Sequence, residues 1–285
     1  MKYPVGIIGT GNIGTDLFMK ILRSDKLECV AFVGRRADSD GIQKAVSLGV
    51  NTSIEGIKYF QYNPNDAHLV FDCTDAFTAI ENNKIFNDAG IRVIDMTPAK
   101  IGPMCVPIIN GSIIWDNQNV NMITCGGQTS IPILHLISQC CDNIDYVEIV
   151  SQIASKSAGM ATRANIDHYI HTTEAAIKQF TGCKACKVIL NINPAEPCVD
   201  MQTTMFVKGG DINFDKLQEQ LNERIKEVRA YVPNYEMVMM PIINEEGILI
   251  LSIRVRGVGD YLPSYAGNLD IINCAAIKLA EGFGL

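Results

Sequence analysis

The 285-residue sequence contains no apolar run approaching the ~18–20 residues that a membrane-spanning helix needs, so no membrane association through a span is expected. It also lacks a basic stripe. Its 24 lysines and arginines are outnumbered by 31 acids, and the net charge of −7 argues against nucleic acid or anionic membranes as partners. Histidine is scarce: His68, His135, His168 and His171 show no metal spacing with acidic partners, so no metal is expected. Repeats, low-complexity tracts and linkers are missing as well. The N-terminus reads as a strand and glycine loop instead of a signal peptide. Together with ten cysteines, that reading implies reduced thiols and a cytoplasmic setting. Cys183 and Cys186 have CxxC spacing, but with no second such pair they are expected to be structural.

What is present begins with Val5-Gly6-Ile7-Ile8, a short apolar strand that runs into Gly9-Thr10-Gly11-Asn12-Ile13-Gly14 and then a helix from Thr15 to Leu22. Strand, glycine turn and helix stand in the order a dinucleotide-binding βαβ unit requires. Further buried strands are expected at Cys29–Val33, Leu69–Phe71, Arg92–Ile94, Val106–Ile109 and Asn119–Thr124. Alternation of strands and helices up to Thr124 predicts an α/β fold with an N-terminal, Rossmann-like, doubly wound parallel sheet. From Tyr146 onward long strand-like runs at 146–154, 187–191, 203–207 and 248–255 surround helices near 164–179 and 214–231. They predict a second, α+β catalytic and dimerisation domain with a larger, partly antiparallel sheet. The expected boundaries are 1–124 for the first domain, 125–265 for the second, and a C-terminal helix within 266–285 packing back on the first.

Cys125 lies between these halves, where a strand-like run breaks into Gly126-Gly127-Gln128 before a helix expected to open at Ser130. A helix start offers unpaired N–H groups and partial positive charge, both of which favour a thiolate. Lowering a thiol from about 8.5 to about 7 takes roughly 2 kcal/mol, whereas a helix terminus gives about 0.3–1 kcal/mol, so a second contributor is needed. The junction also suits a cysteine meeting the nicotinamide end of a cofactor in an interdomain cleft.

Taken together, these residues resemble the acylating acetaldehyde dehydrogenases, which convert a short aldehyde and CoA to the acyl-CoA with a nicotinamide cofactor. The marks are the Gly9–Leu17 segment, Asp95-Met96-Thr97-Pro98-Ala99, Asn119–Gln128, Ser155–Gly159, Thr162–Asp167, Asn193-Pro194-Ala195-Glu196-Pro197 and Tyr261–Ile271. The resemblance implies Cys125 as the acyl-thioester nucleophile, with backbone N–H groups of Gly126 and Gly127 as oxyanion donors. It places cofactor contacts on Gly9, Thr10, Gly11, Asn12, Ile13 and Gly14, on Ser155, Lys156, Ser157, Ala158, Gly159, Met160, Ala161, Thr162 and Arg163, and on Asn268. Coenzyme A is implied as co-substrate, a homodimer as the assembly, and a pyruvate-forming aldolase as a partner that hands over the aldehyde.

Three departures from the family pattern stand out. Thr203 occupies the position of an aspartate thought to help deprotonate the cysteine, leaving Asp200, three residues earlier, as a substitute acid. Val33-Gly34-Arg35-Arg36 lacks the usual acid near the second strand. Guanidinium groups there suit a 2′-phosphate, so NADP is expected to serve at least as well as NAD. Met160-Ala161 replaces a Pro-Gly in the cofactor loop, and Pro241–Gly247 is short. Two other readings of the chain are a phosphorylating semialdehyde dehydrogenase, which usually pairs its cysteine with a histidine, and a non-catalytic NAD(P)-binding redox sensor.

Overall fold

The computed structural model describes residues 2–283, apart from the side chains of Met160 and Ala161. The chain divides into two compact units, 1–123 with 260–262 and 272–285, and 124–259 with 263–271.

The first unit runs β1 (Tyr3–Ile8), α1 (Asn12–Arg23), β2 (Leu27–Val33), α2 (Asp40–Ser47), β3 (Thr52–Ser53), α3 (Lys58–Tyr62), β4 (Leu69–Asp72), α4 (Ala76–Asp88), β5 (Arg92–Asp95), α5 (Pro107–Asn110) and β6 (Asn119–Asn121). Its strands form one parallel sheet in the order β3-β2-β1-β4-β5-β6. That order reverses direction at β1 and β4, which is where a doubly wound sheet opens a crevice at the carboxyl ends of its strands. The strands read as near-continuous apolar runs because helices cover both faces. Val5, Ile7, Phe32, Leu69, Phe71 and Ile94 are fully buried.

Val106–Ile109 forms a helical turn instead of the expected strand. Pro107 at the first helical position has its φ already set for a helix and needs no N–H partner. Asn110 closes the turn, accepting from the Val106 N–H at 2.9 Å and donating to the Met104 carbonyl at 2.9 Å.

The second unit contains α6 (Cys125–Ser138), β7 (Ile144–Ala154), α7 (Met160–Ala164), α8 (Ile166–Thr181), β8 (Ala185–Asn193), β9 (Met201–Gly209), α9 (Phe214–Arg229), β10 (Tyr235–Ile243), β11 (Leu249–Val255) and the first turn of α10 (Gly267–Ala280). Its five strands are ordered β10-β11-β9-β7-β8, with only β7 and β8 parallel. The edge strand β10 is invisible in the residue pattern because it carries Pro241 and four partly exposed positions, features tolerated only at an edge. Among the described residues no helix is long and apolar enough to cross a membrane. No cluster of potential metal ligands occurs among them either, and all ten cysteines are free.

Candidate active site

The sharp turn that delivers Cys125 is built by Asn121. Its side chain donates to Asp95 at 2.9 Å and to the Thr97 carbonyl at 2.8 Å, and accepts from the Ile123 N–H at 2.9 Å. Ile123 is thereby held at φ +66°, a left-handed conformation that costs a β-branched residue about 1–3 kcal/mol. Asp95 accepts from the Thr97 N–H and hydroxyl at 2.8 and 2.7 Å. Burial, and the neighbouring Asp72 across the β4–β5 register, push its carboxyl up to about 7. The motif Asp95-Met96-Thr97 is thus a backbone-shaping device.

α6 starts at Cys125 itself, five residues earlier than expected, because Thr124 is its N-cap: the Thr124 hydroxyl accepts from the Gly127 N–H at 3.0 Å. That bond occupies the Gly127 amide, which therefore offers no free donor, whereas the Gly126 N–H faces the Cys125 thiol. Thr124 is fastened in turn to α8 by a 2.7 Å bond to Thr173, whose hydroxyl donates to the Tyr169 carbonyl at 2.6 Å. Pro132 interrupts the α6 ladder. Around it, side chains from outside α6 hold two of its carbonyls: Tyr235 donates to that of Thr129 at 2.7 Å, and Arg224 to that of Pro132 at 2.8 Å.

Cys125 keeps some solvent-accessible surface but is densely surrounded by protein. Burial dominates its protonation, pushing the thiol up to about 11 even though the Tyr169 hydroxyl and the backbone N–H groups of Gly126 and Cys125 pull the other way. The helix start alone does not make a thiolate here, because desolvation outweighs the oriented donors around the sulfur. Asp200 accepts from Arg256 at 2.8 Å and is not among the groups acting on the sulfur. Thr203 is fully buried and its hydroxyl lies 2.9 Å from that of Ser151. Tyr169 was not singled out by any motif or spacing. Its identity as a neighbour of Cys125 depends on how α8 packs on α6.

In the first unit, the glycine fingerprint fits a dinucleotide. Gly9 has φ +101°, and a Cβ there would sit 2.5 Å from the Cys73 carbonyl oxygen. A Cβ on Gly14 would sit 1.9 Å from the Gly9 oxygen, while one on Gly11 would meet nothing within 4 Å. Gly9 and Gly14 are therefore required by packing, and Gly11 leaves open the approach to the α1 N-terminus. No side chain caps that terminus and no acid lies in its first turn, the condition for binding a phosphate group. Thr10 is fixed by a 3.1 Å bond to Ser39. Arg35 and Arg36 are exposed in the turn after β2, with Arg36 paired to Asp38 at 3.0 Å.

In the second unit, Arg163 ties together the loop of predicted cofactor residues. It donates to the Ala158 carbonyl at 3.0 Å and to the Ser155 hydroxyl at 2.9 Å. Ser157 is buried and donates to the Ala154 carbonyl at 2.9 Å, and Lys156 pairs with Glu196 on the surface. Met160 and Ala161, also expected to bind cofactor, have side chains outside the described residues. Asn268 is buried, and its side-chain oxygen has no protein partner.

Residues 125–263 match the family model described as prokaryotic acetaldehyde dehydrogenase, dimerisation, and residues 4–113 match the semialdehyde dehydrogenase NAD-binding domain. Among curated proteins, the acetaldehyde dehydrogenase of Spirochaeta aurantia is 54% identical over 98% of this chain and 94% of its own length. That of Burkholderia thailandensis is 50% identical over 97% and 93%. Among solved structures, aspartate semialdehyde dehydrogenase II of Vibrio cholerae superposes with a TM-score of 0.68 over 99% of this chain and 98% of that one. At 14% identity this likeness speaks to the fold alone. On sequence identity over nearly its whole length, the chain belongs to the acetaldehyde dehydrogenase family.

Proposed function

We propose that this protein interconverts a short aldehyde plus CoA and the corresponding acyl-CoA, using a nicotinamide cofactor and a thioester on Cys125. The observation that carries this reading is a cysteine at the first position of α6, its sulfur faced by the Gly126 N–H and a buried tyrosine hydroxyl. Sγ of Cys125 adds to the aldehyde carbonyl carbon, and the oxygen that becomes negative is met by the Gly126 N–H. A nicotinamide supplies the hydride acceptor when bound. The aldehyde hydrogen leaves that carbon as hydride while the oxyanion's electron pair re-forms the C=O, which leaves an acyl group on Cys125 as a thioester. The CoA thiol attacks that carbonyl, the C–S bond to Cys125 breaks, and the thiol is restored.

The cofactor's phosphates are assigned to Thr10–Ile13 at the uncapped start of α1, and its carboxamide to the unpartnered oxygen of Asn268, an acceptor suited to an amide N–H. Arg35, exposed in the turn after β2, favours a 2′-phosphate and hence NADP. The test is an aldehyde-oxidation assay with CoA or inorganic phosphate, each with NAD and with NADP. CoA-dependent reduction with NADP at least as efficient as NAD is the expected result. Dependence on phosphate would replace this reading by a phosphorylating dehydrogenase, and a large NAD advantage would remove the role given to Arg35.

A homodimer is proposed through the second unit, whose edge strand β10 exposes Val238, Met240, Ile242 and Ile243. Apolar residues in that number on one strand favour burial against a second copy. Sedimentation as a monomer at micromolar concentration would refute it. A pyruvate-forming aldolase remains the proposed source of the aldehyde, with the tight β10–β11 hairpin around Asn244 as the segment that departs from the family pattern.

A further inference from the structure

The Tyr169 side chain is a buried group with an unused polar end. Its hydroxyl lies against the Cys125 thiol and beside Ser151, yet it completes no well-aligned hydrogen bond with any protein group. The space is tight: a Cβ on Gly126 would come 2.2 Å from the Tyr169 oxygen and 3.3 Å from Ser151 Oγ. Glycine at 126 is therefore what allows the phenol to reach the sulfur. Behind it, Ser151 on β7 and Thr203 on β9 are directly paired in register, both fully buried, with their hydroxyls 2.9 Å apart. Thr203, Ser151 and Tyr169 thus form a line of hydroxyls ending at Cys125. Thr203 and Ser151 are hydrogen-bonded to each other, Ser151 stands where it can donate to Tyr169, and Tyr169 where it can donate to the sulfur, an order in which each bond formed would polarise the next.

No charged side chain acts on the Cys125 sulfur among the described residues; the groups that do are the Tyr169 hydroxyl and the N–H groups of Cys125 and Gly126. A buried thiolate without a cation depends on oriented donors. We propose that Tyr169 is the side-chain donor that holds the Cys125 sulfur in its reactive, ionised form, aligned for that task by the Ser151–Thr203 pair. When the thiol loses its proton to solvent, the Tyr169 O–H already stands beside the sulfur to donate to it. An O–H donor is needed for this, and Phe would fill the same volume without supplying it.

The proposal rests on Cys125 being the nucleophile named above, but its test needs no substrate. The rate of Cys125 alkylation by iodoacetamide is followed from about pH 7 to 10 by mass spectrometry of the Cys125 peptide, in the full chain and in Tyr169→Phe and Thr203→Val. The rate reads the thiolate fraction directly. Tyr169→Phe is expected to slow alkylation at about pH 8 by about tenfold and to move the profile about one unit upward, since a donor to an ionised group is among the stronger hydrogen bonds. Thr203→Val is expected to move it in the same direction by less. Circular dichroism and the alkylation of the partly accessible Cys198 should be unchanged. A Tyr169→Phe profile that superimposes on the parent's, or moves downward, overturns the proposal. Should that variant fail to fold, an unshifted Thr203→Val profile overturns the hydroxyl line instead. A parent protein that shows the expected shift on mutation but no acyl-CoA turnover would sink the functional reading and leave the role of Tyr169 standing.

Discussion

Cys125→Ser is expected to lower CoA-dependent nicotinamide reduction by at least about 10³-fold while leaving cofactor affinity unchanged. A serine hydroxyl is far harder to ionise than a thiol, and nothing around position 125 compensates. The neighbours are neutral donors, Tyr169 and two backbone N–H groups, with no positioned base or cation acting on the atom. The thiol itself is already pushed up to about 11 by burial, so the site has no reserve that an alcohol could use. The substitution leaves the residues of the glycine fingerprint unchanged. Steady-state turnover and a cofactor fluorescence titration on the same preparation check both halves. Turnover within a few-fold of the parent would eliminate the covalent mechanism, and a parallel loss of cofactor binding would point to misfolding instead.

Gly14→Ala should be the most damaging single methyl in the first unit. The added Cβ would lie 1.9 Å from the Gly9 carbonyl oxygen, and Gly9 has no room to yield. Its N–H donates to the Val33 carbonyl at 2.9 Å, its φ is +101°, and the space on its side-chain face is closed by the Cys73 carbonyl. Backbone against backbone cannot be relieved by a rotamer change, so α1 must tilt away from β1. The cost is expected at about 3 kcal/mol, the upper end of overpacking effects, with a fall in Tm of roughly 6–12 °C. Because the same tilt moves the α1 N-terminus, cofactor affinity should drop together with stability. Gly11→Ala is the control: with nothing within 4 Å it should cost less than about 1 kcal/mol in calorimetry, while the methyl obstructs the open approach to the helix start. Equal losses of stability in the two variants would contradict this assignment of the fingerprint.

How much of this was legible beforehand depends on the range of the interaction involved. The first βαβ unit could be read because glycine φ, close helix–strand packing and an uncapped helix start are all local, and they demand residues at fixed offsets. The Val106–Ile109 segment misled because four apolar residues in a row look alike in a strand and a helical turn. The side-chain bridge from Asn110 and the proline at the first helical position decided it. The strand β10 was missed for the opposite reason: its proline and exposed residues are those of an edge, and being an edge is a property of the sheet. At the site, Cys125 and the glycines after it were visible, but the N-cap was not. A threonine capping α6 moved the helix start to the cysteine and withdrew the Gly127 amide from any oxyanion role.

The sequence by itself determined the family, the parallel nucleotide-binding half and the cysteine at the junction. These rest on short-range patterns that a chain carries with it before folding. Only the tertiary structure decided what surrounds the sulfur. Tyr169 lies 44 positions beyond Cys125, and 203 lies 52 beyond Ser151. They meet because α8 packs on α6 and β7 pairs with β9. Desolvation, which raises the thiol, and the hydroxyl line that reaches it are both consequences of that packing, and neither has a sequence spacing of its own.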